Sequence, residues 1–192
     1  MISIGLTSAI ENRVEFQENV LEEYLGKIAG GDKDALADLY QETKVAVYGF
    51  SLSIVKNFQD AEDVLQNVYI QVFLSADRYI PNGKAMAWIF TIARNLALME
   101  VRKRGKAVCV SDEDMANISV QSADESIEDK IVLKHAMTIL SDQERQIMML
   151  HAVGGLKHRE IADILHCPVS TVLSKYRRSI TKLQDKLKEK MI

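Results

Sequence analysis

Hydrophobic positions recur every three or four residues along nearly the whole chain. No stretch alternates strictly, so the pattern predicts helices throughout. Val20, Leu21, Tyr24, Leu25 and Ile28 make a first stripe. Gly30-Gly31 stops it, and Asp32 is suited to cap the next helix. Leu36, Tyr40, Thr43, Val47, Phe50 and Ile54 make a second stripe. Ala61, Val64, Leu65, Val68, Tyr69, Val72 and Phe73 make a third core face, with Asp60 as its expected N-cap and Glu62 and Asp63 in the positive first turn. Tyr79-Ile80-Pro81-Asn82-Gly83 reads as a turn. A fourth helix is expected from about Lys84 to Arg104, apolar nearly all round until Met99 and basic beyond it. Together these predict one helical domain over residues 18–105, preceded by an extension, 1–17, that is a frayed start or a partner-binding segment.

Residues 106–125 are acidic, poor in large apolar residues and without a period, and read as a linker. A smaller domain is expected over 126–192. Ile127, Ile131, Val132, His135 and Leu140 suggest one helix. Ser141-Asp142-Gln143-Glu144 matches a capping box ahead of a second, which Gly154-Gly155 ends. Ile161, Ala162, Ile164 and Leu165 fit a very short helix, His166-Cys167-Pro168 a tight turn, and Ser170 the cap of a final long helix. Short helix, tight turn and longer capped helix is the helix-turn-helix pattern. The expected fold class is all-α: two small helical domains joined by an acidic linker, the second carrying a helix-turn-helix.

Charge sharpens this picture. The chain of 192 residues has a net charge of only −3, but the charge is not spread evenly. Residues 1–77 carry −8, residues 78–106 carry +6, residues 107–125 carry −5 and residues 126–192 carry +4. Partners feel local fields, so two basic segments in an acidic chain suggest two places where a polyanion is met. The distant cysteines Cys109 and Cys167 and the absence of a secretory signal favour a reducing, cytoplasmic setting. The longest apolar stretch, 85–99, is interrupted by Thr91, Arg94 and Asn95 and falls short of the ~20 residues of a bilayer span.

The final helix carries the sharpest chemistry. Val172, Tyr176, Ile180 and Leu183 share an apolar face, while Ser170, Thr171, Ser174, Lys175, Arg178 and Lys182 lie elsewhere, with Arg177 at the border. Small hydroxyls at the helix start suit close approach to phosphates and base edges, and the cations suit backbone or guanine. The blander reading is a solvated amphipathic helix. In the first domain Arg78, Lys84, Arg94 and the cluster Arg102, Lys103, Arg104 are basic over several turns, although cations also favour any helix C-terminus. Tyr79 and Trp88 offer stacking surfaces for single-stranded bases, although Trp88 fits the core better than a stacking platform. His151, His158 and His166 match no metal-ligand spacing, and no phosphate-cradling loop or nucleophile motif is present. No catalytic residue, metal, cofactor or small-molecule substrate is expected.

With these segments in view, the chain resembles the bacterial RNA polymerase sigma factors of the extracytoplasmic-function class. Three stretches carry the likeness: DAEDVLQNVYIQVF (60–73), AWIFTIARNLALMEVRKR (87–104), and LSDQERQIMML with LKHREIADILHCPVSTVLSKYRRSITKL (140–150 and 156–183). The resemblance implies a protein that binds core RNA polymerase and sets two domains on promoter DNA. Asp60, Glu62, Asp63, Gln66 and Asn67 would then meet the polymerase. Arg78, Tyr79, Lys84, Arg94, Asn95, Arg102, Lys103 and Arg104 would hold the −10 element. Ser170, Thr171, Ser174, Lys175, Arg177, Arg178 and Lys182 would face the −35 element. An anti-sigma factor, often membrane-anchored, is a further implied partner. Leu173 stands where the family often has a basic residue, and either touches a thymine methyl or widens the core face. Arg177 and Ile180 depart from the family's common residues, and so do Ala85 and Met86. The competing reading is a stand-alone helix-turn-helix regulator that binds duplex operator without polymerase.

Overall fold

The structure, a computed structural model, describes residues 18–105 and 139–190, and contains helices and no strand among them. The extension 1–17, the linker 106–125 and the stripe Ile127, Ile131, Val132 and His135 lie outside the described residues. Helix α1 spans 18–29 and ends in a turn where Gly31 adopts φ +90°. That left-handed conformation is open to glycine at no steric cost. Asp32 then caps α2 (Lys33–Val55), its carboxylate accepting from the backbone N–H of Asp34 at 2.8 Å and of Ala35 at 3.1 Å.

Helix α3 (Phe58–Ser75) is capped by Asn57, whose side-chain oxygen accepts from the Asp60 N–H at 3.1 Å. The sequence pattern gave that role to Asp60. Asn57 wins because Lys56 leaves α2 in the left-handed region and turns the chain, so Asn57 is the extended residue at the new helix's mouth. A 3₁₀ turn (Ala76–Arg78) and a loop lead into α4 (Ala85–Gly105). Helices α2, α3 and α4 pack on one another, with Leu39, Val47, Phe50, Val68, Ile89 and Phe90 fully enclosed. Phe73 departs from the expected core face: it lies on the outer side of α3, exposed. One buried polar link crosses this core. Thr43 Oγ1 and Tyr69 Oη are 2.7 Å apart, Thr43 Oγ1 also donates to the Leu39 carbonyl, and burial pushes the Tyr69 phenol up.

The second domain holds α5 (Asp142–Met148), a π-helical turn (Met149–Val153), α6 (His158–Leu165) and α7 (Val169–Lys190). The expected capping reciprocity forms at Ser141, whose N–H and O–H each donate to Glu144 at 2.9 Å. His166 closes α6 in the left-handed region at φ 52°. Helix α7 starts one residue before the expected cap, so Ser170 sits inside it. Pro168 stands ahead of the first turn, its carbonyl accepting from Thr171 and Val172. A proline costs no hydrogen bond there, having no N–H to lose.

The two domains touch. Helix α5 and the π-helical turn pack on α2, and α6 packs on α4. Buried apolar residues of both domains form one continuous cluster. Phe90 is central to it: its ring meets Phe50 edge-on at 5.2 Å, and Gly154 lies against its other flank. Lys56 and Asp142 add an ion pair at 2.7 Å. A Cβ on Gly154 would stand 2.5 Å from Phe90 Cε2 and 2.8 Å from the Leu150 carbonyl oxygen. At Gly49 the obstacle is only the flexible methyl end of Met149. Gly154→Ala should therefore cost about 1–3 kcal/mol of overpacking strain. Gly49→Ala should stay within about 1 kcal/mol, because the thioether can turn aside. Thermal unfolding of the two variants side by side checks this, and equal melting temperatures would contradict it.

Candidate polymerase and nucleic-acid interfaces

The outer face of α3 carries Glu62, Asp63, Gln66 and Asn67, all exposed. Their spacing of three and four residues puts them on one side. Asn67 Nδ2 donates to the Asp63 carbonyl at 2.8 Å. Asp60 does not share this surface. It is partly buried at the start of α3, where Arg104 Nη2 lies 2.7 Å from its carboxylate. Burial raises the Asp60 carboxyl, and Arg104 offsets that only in part. The polar face continues into exposed apolar residues, Ile70 at 56%, Phe73 at 36% and Leu74 at 64% exposure, of which the sequence pattern had placed Phe73 in the core.

The basic surface of the first domain has two parts. Trp88, Thr91, Asn95 and Arg102 share one side of α4, with Arg78, Tyr79 and Lys84 beside its start. Trp88 is half-buried, its ring tilted against Tyr79 at 5.1 Å, so it edges the surface rather than filling the core. The other part is occupied by internal ties. Arg104 turns back to Asp60 and to the Val55 carbonyl, and Lys103 pairs with Glu100 at 3.0 Å. Arg94 is half-buried on a different side of the helix.

Glu22, on α1, organises the loop between α3 and α4. Its Oε1 accepts from Tyr79 Oη at 2.7 Å, from the Asn82 N–H at 2.9 Å and from the Gly83 N–H at 2.5 Å. Burial works against the charge, but these donors outweigh it and hold the carboxyl below its ordinary range. The partners are some sixty residues away, so no local pattern marked Glu22. The loop borders a cavity of about 370 Å³ between the domains. Arg78, Tyr79, Lys84 and Trp88 line one wall, and Glu160 and Asp163 of α6 the other.

On α7 the outward arc holds Ser170, Leu173, Ser174, Arg177 and Arg178, all exposed. Val172 and Ser179 face inward. Leu173 thus resolves as a surface residue. Arg178 is steadied by the Ser174 carbonyl at 3.3 Å. Thr171 and Lys175 are half-buried at the margin. Lys182 is set apart from the arc, with Nζ reaching both Glu144 oxygens at 3.0 and 2.7 Å. Behind α7, the His151 and His158 rings lie 4.5 Å apart and Tyr176 meets both edge-on. His151 Nδ1–H donates to the Leu156 carbonyl, while the buried His158 Nε2 has no hydrogen-bond partner. Among the described residues no group of three His, Cys, Asp or Glu side chains is arranged to hold a metal, and no helix is long and apolar enough to cross a membrane.

Two measurements test these sites. Glu22→Ala should free the loop, at a cost of about 0.5–1.5 kcal/mol, because water can take the place of the carboxylate at the exposed Asn82 and Gly83 donors. Amide exchange at Asn82 and Gly83 should speed up and the emission of Trp88, the one tryptophan, should shift; unchanged exchange would contradict the anchor. The second concerns pH. Burial, and then the charge of His151, lower the His158 pKa from 6.5, so the folded state prefers neutral imidazole and stability falls as pH drops below that value. Glu144 follows: burial raises its carboxyl, but Lys182 and Ser141 pull it down to about 2, so its contribution is lost as pH falls from 4.5 towards 2. His158→Phe should flatten the loss of melting temperature between about pH 7.5 and 5.5, the span around the ordinary histidine pKa. Glu18 titrates the other way, its buried carboxyl held up to about 7, and is common to both proteins. An identical pH slope in the variant would contradict the assignment.

The Sigma-70 region 2 family model matches residues 39–107, and the Sigma-70 region 4 model matches 131–183, together more than half of the chain. The chain is 28% identical over 172 residues to the ECF RNA polymerase sigma factor SigK of Mycolicibacterium vanbaalenii, covering 85% of this chain and 87% of the relative. It is 28% identical over 185 residues to the ECF sigma factor SigW of Bacillus subtilis, covering 90% and 99%. The fold is similar to the sigma factor RpoE of Bartonella quintana, solved with the anti-sigma factor NepR, with a TM-score of 0.60, 26% identity, and 79% of this chain and 97% of that one covered. CnrH, solved with the cytosolic domain of CnrY, shares the fold at TM-score 0.61 and 19% identity, with 88% and 98% covered. The chain belongs to the sigma-70 family, in its extracytoplasmic-function class, a family of non-enzymatic promoter-specificity factors that act with RNA polymerase.

Proposed function

We propose that this factor holds core polymerase through α3 and reads a promoter at two points, the −10 element with α4 and its preceding loop and the −35 element with α7. The observation that carries this reading is the division of exposed chemistry: two basic strips on two domains, and a face on α3 that runs from acidic to apolar. A surface that pairs charge with Ile70 and Leu74 suits a protein partner. Trp88 and Tyr79 beside Arg78 and Lys84 suit unstacked bases on a charged backbone. The start of α7 suits a major groove, with hydroxyls close to the backbone and arginines able to reach guanine.

Two elements far apart along a duplex cannot both be read while α6 rests on α4. We therefore assign the docked arrangement to the free factor and a separated one to the promoter complex. Glu160 and Asp163 oppose Arg78 and Lys84 across the cavity and occupy the place a phosphate backbone would take. An anti-sigma partner, such as NepR is for RpoE, would act by holding such an arrangement. A cytoplasmic location follows from this role.

Substituting Asp63→Lys together with Gln66→Ala should weaken core polymerase binding about tenfold or more, the equivalent of about 1.4 kcal/mol. The same protein should bind −35 duplex as the wild type does. Pulldown of purified core polymerase and run-off transcription measure the first, and fluorescence anisotropy the second. Full promoter-directed transcription by the double variant would overturn the role of α3. Nanomolar operator binding without polymerase would favour the stand-alone regulator.

A further inference from the structure

We infer that Leu173 selects a thymine in the −35 element through its 5-methyl group; the inference rests on the reading of α7 given above and deepens it. Leu173 is 37% exposed and Val169, one turn before it, 38% exposed. Both lie on the outward arc with Ser170, Ser174 and Arg177. The inward apolar side of the helix is carried by Val172, and Leu173 lies outside the buried core. An aliphatic side chain between hydroxyls and an arginine, in the first turns of a recognition helix, faces the groove where base edges are read.

Only one base edge in the major groove offers an apolar group, the thymine C5-methyl. Leucine neither donates nor accepts hydrogen bonds. Opposite guanine, cytosine or adenine it would cover a polar edge and leave that group unpaired, which is unfavourable. Attraction to the methyl and exclusion of the other edges therefore point the same way. Ser170 and Ser174, flanking it, can bond to either strand's polar groups without restricting the choice of base. Burying one methyl is worth about 0.8 kcal/mol, a roughly fourfold preference.

The test uses the full chain bound to core polymerase. A promoter with a randomised −35 region is selected by run-off transcription. Each thymine of the winning element, on either strand, is then replaced by deoxyuridine, which pairs identically and lacks the methyl. The expected result is one position where deoxyuridine lowers promoter binding about fourfold with the wild type and has little effect with Leu173→Ala. Leu173→Arg should move the preference at that position towards guanine. Arg177→Ala should weaken binding and keep the deoxyuridine effect. Tolerance of deoxyuridine at every thymine, or an effect that persists in Leu173→Ala, overturns the inference and leaves the promoter reading intact. Failure to obtain promoter-directed transcripts at all overturns that reading, and this inference with it.

Discussion

The seat of Gly154 on the Phe90 ring governs how this chain displays its charge. Phe90 is enclosed on one flank by Phe50 and met on the other by a residue without a side chain. A larger residue would crowd the Phe90 ring and the Leu150 carbonyl and strain the contact between the domains. With that contact made, the turn after α5 lies on α2 and α6 lies on α4. The consequences are electrostatic. The acidic side of α6 comes to the start of the basic strip on α4, while the arc of α7 and the outer face of α3 stay open. One apolar contact thus decides that the α3 face and the α7 arc stay exposed while the start of the basic strip on α4 is partly covered.

Not every charge that looks available in the sequence is free to bind. Arg104 fastens the end of α4 to the start of α3 through Asp60. Lys182 fastens α7 to the capping turn of α5 through the buried Glu144. Removing one partner of such a pair strands the other in a poorly solvated place, so these cations act as fasteners first. On these surfaces the exposed cations without such a tie are fewer and better grouped: Arg78 and Lys84 beside Trp88, Arg102 further along the same side of α4, and Arg177 beside two serines. This matters for salt dependence, which counts phosphates neutralised rather than basic residues present.

Helices and their faces were legible in the sequence because burial imposes a period that composition cannot hide. The helix-turn-helix and the Ser141–Glu144 cap were legible for the same local reason. What escaped was settled by competition between neighbours or by distance. Asn57 displaced Asp60 as cap because the left-handed Lys56 re-aimed the chain. Ser170 lost its cap position because Pro168 permits an earlier start. Phe73 fits a core period and is exposed, since among the described residues no element covers that end of α3. Glu22 and the Phe90–Gly154 contact join residues about sixty apart, where no periodicity reaches. The exposed polar face of α3 and the α7 arc were readable as surfaces because they are runs on single helices. The basic surface at the start of α4 depends on a loop held from another helix.

The strength of the domain contact is bounded from both sides. The Lys56–Asp142 pair is roughly half exposed on each side, so screening leaves it on the order of 0–1 kcal/mol. The remainder comes from a small apolar patch, and contacts between domains of one chain are usually of the transient kind. A closed state favoured by about 2–3 kcal/mol would leave roughly one molecule in a hundred open, and would weaken apparent promoter affinity by the same factor. Core polymerase removes that penalty if its surface binds the separated arrangement better. A weak lock on two weak DNA contacts therefore makes promoter binding conditional on polymerase. A tight lock would make the factor inert, and the exposed, salt-sensitive nature of the Lys56–Asp142 pair argues that the contact lies on the weak side.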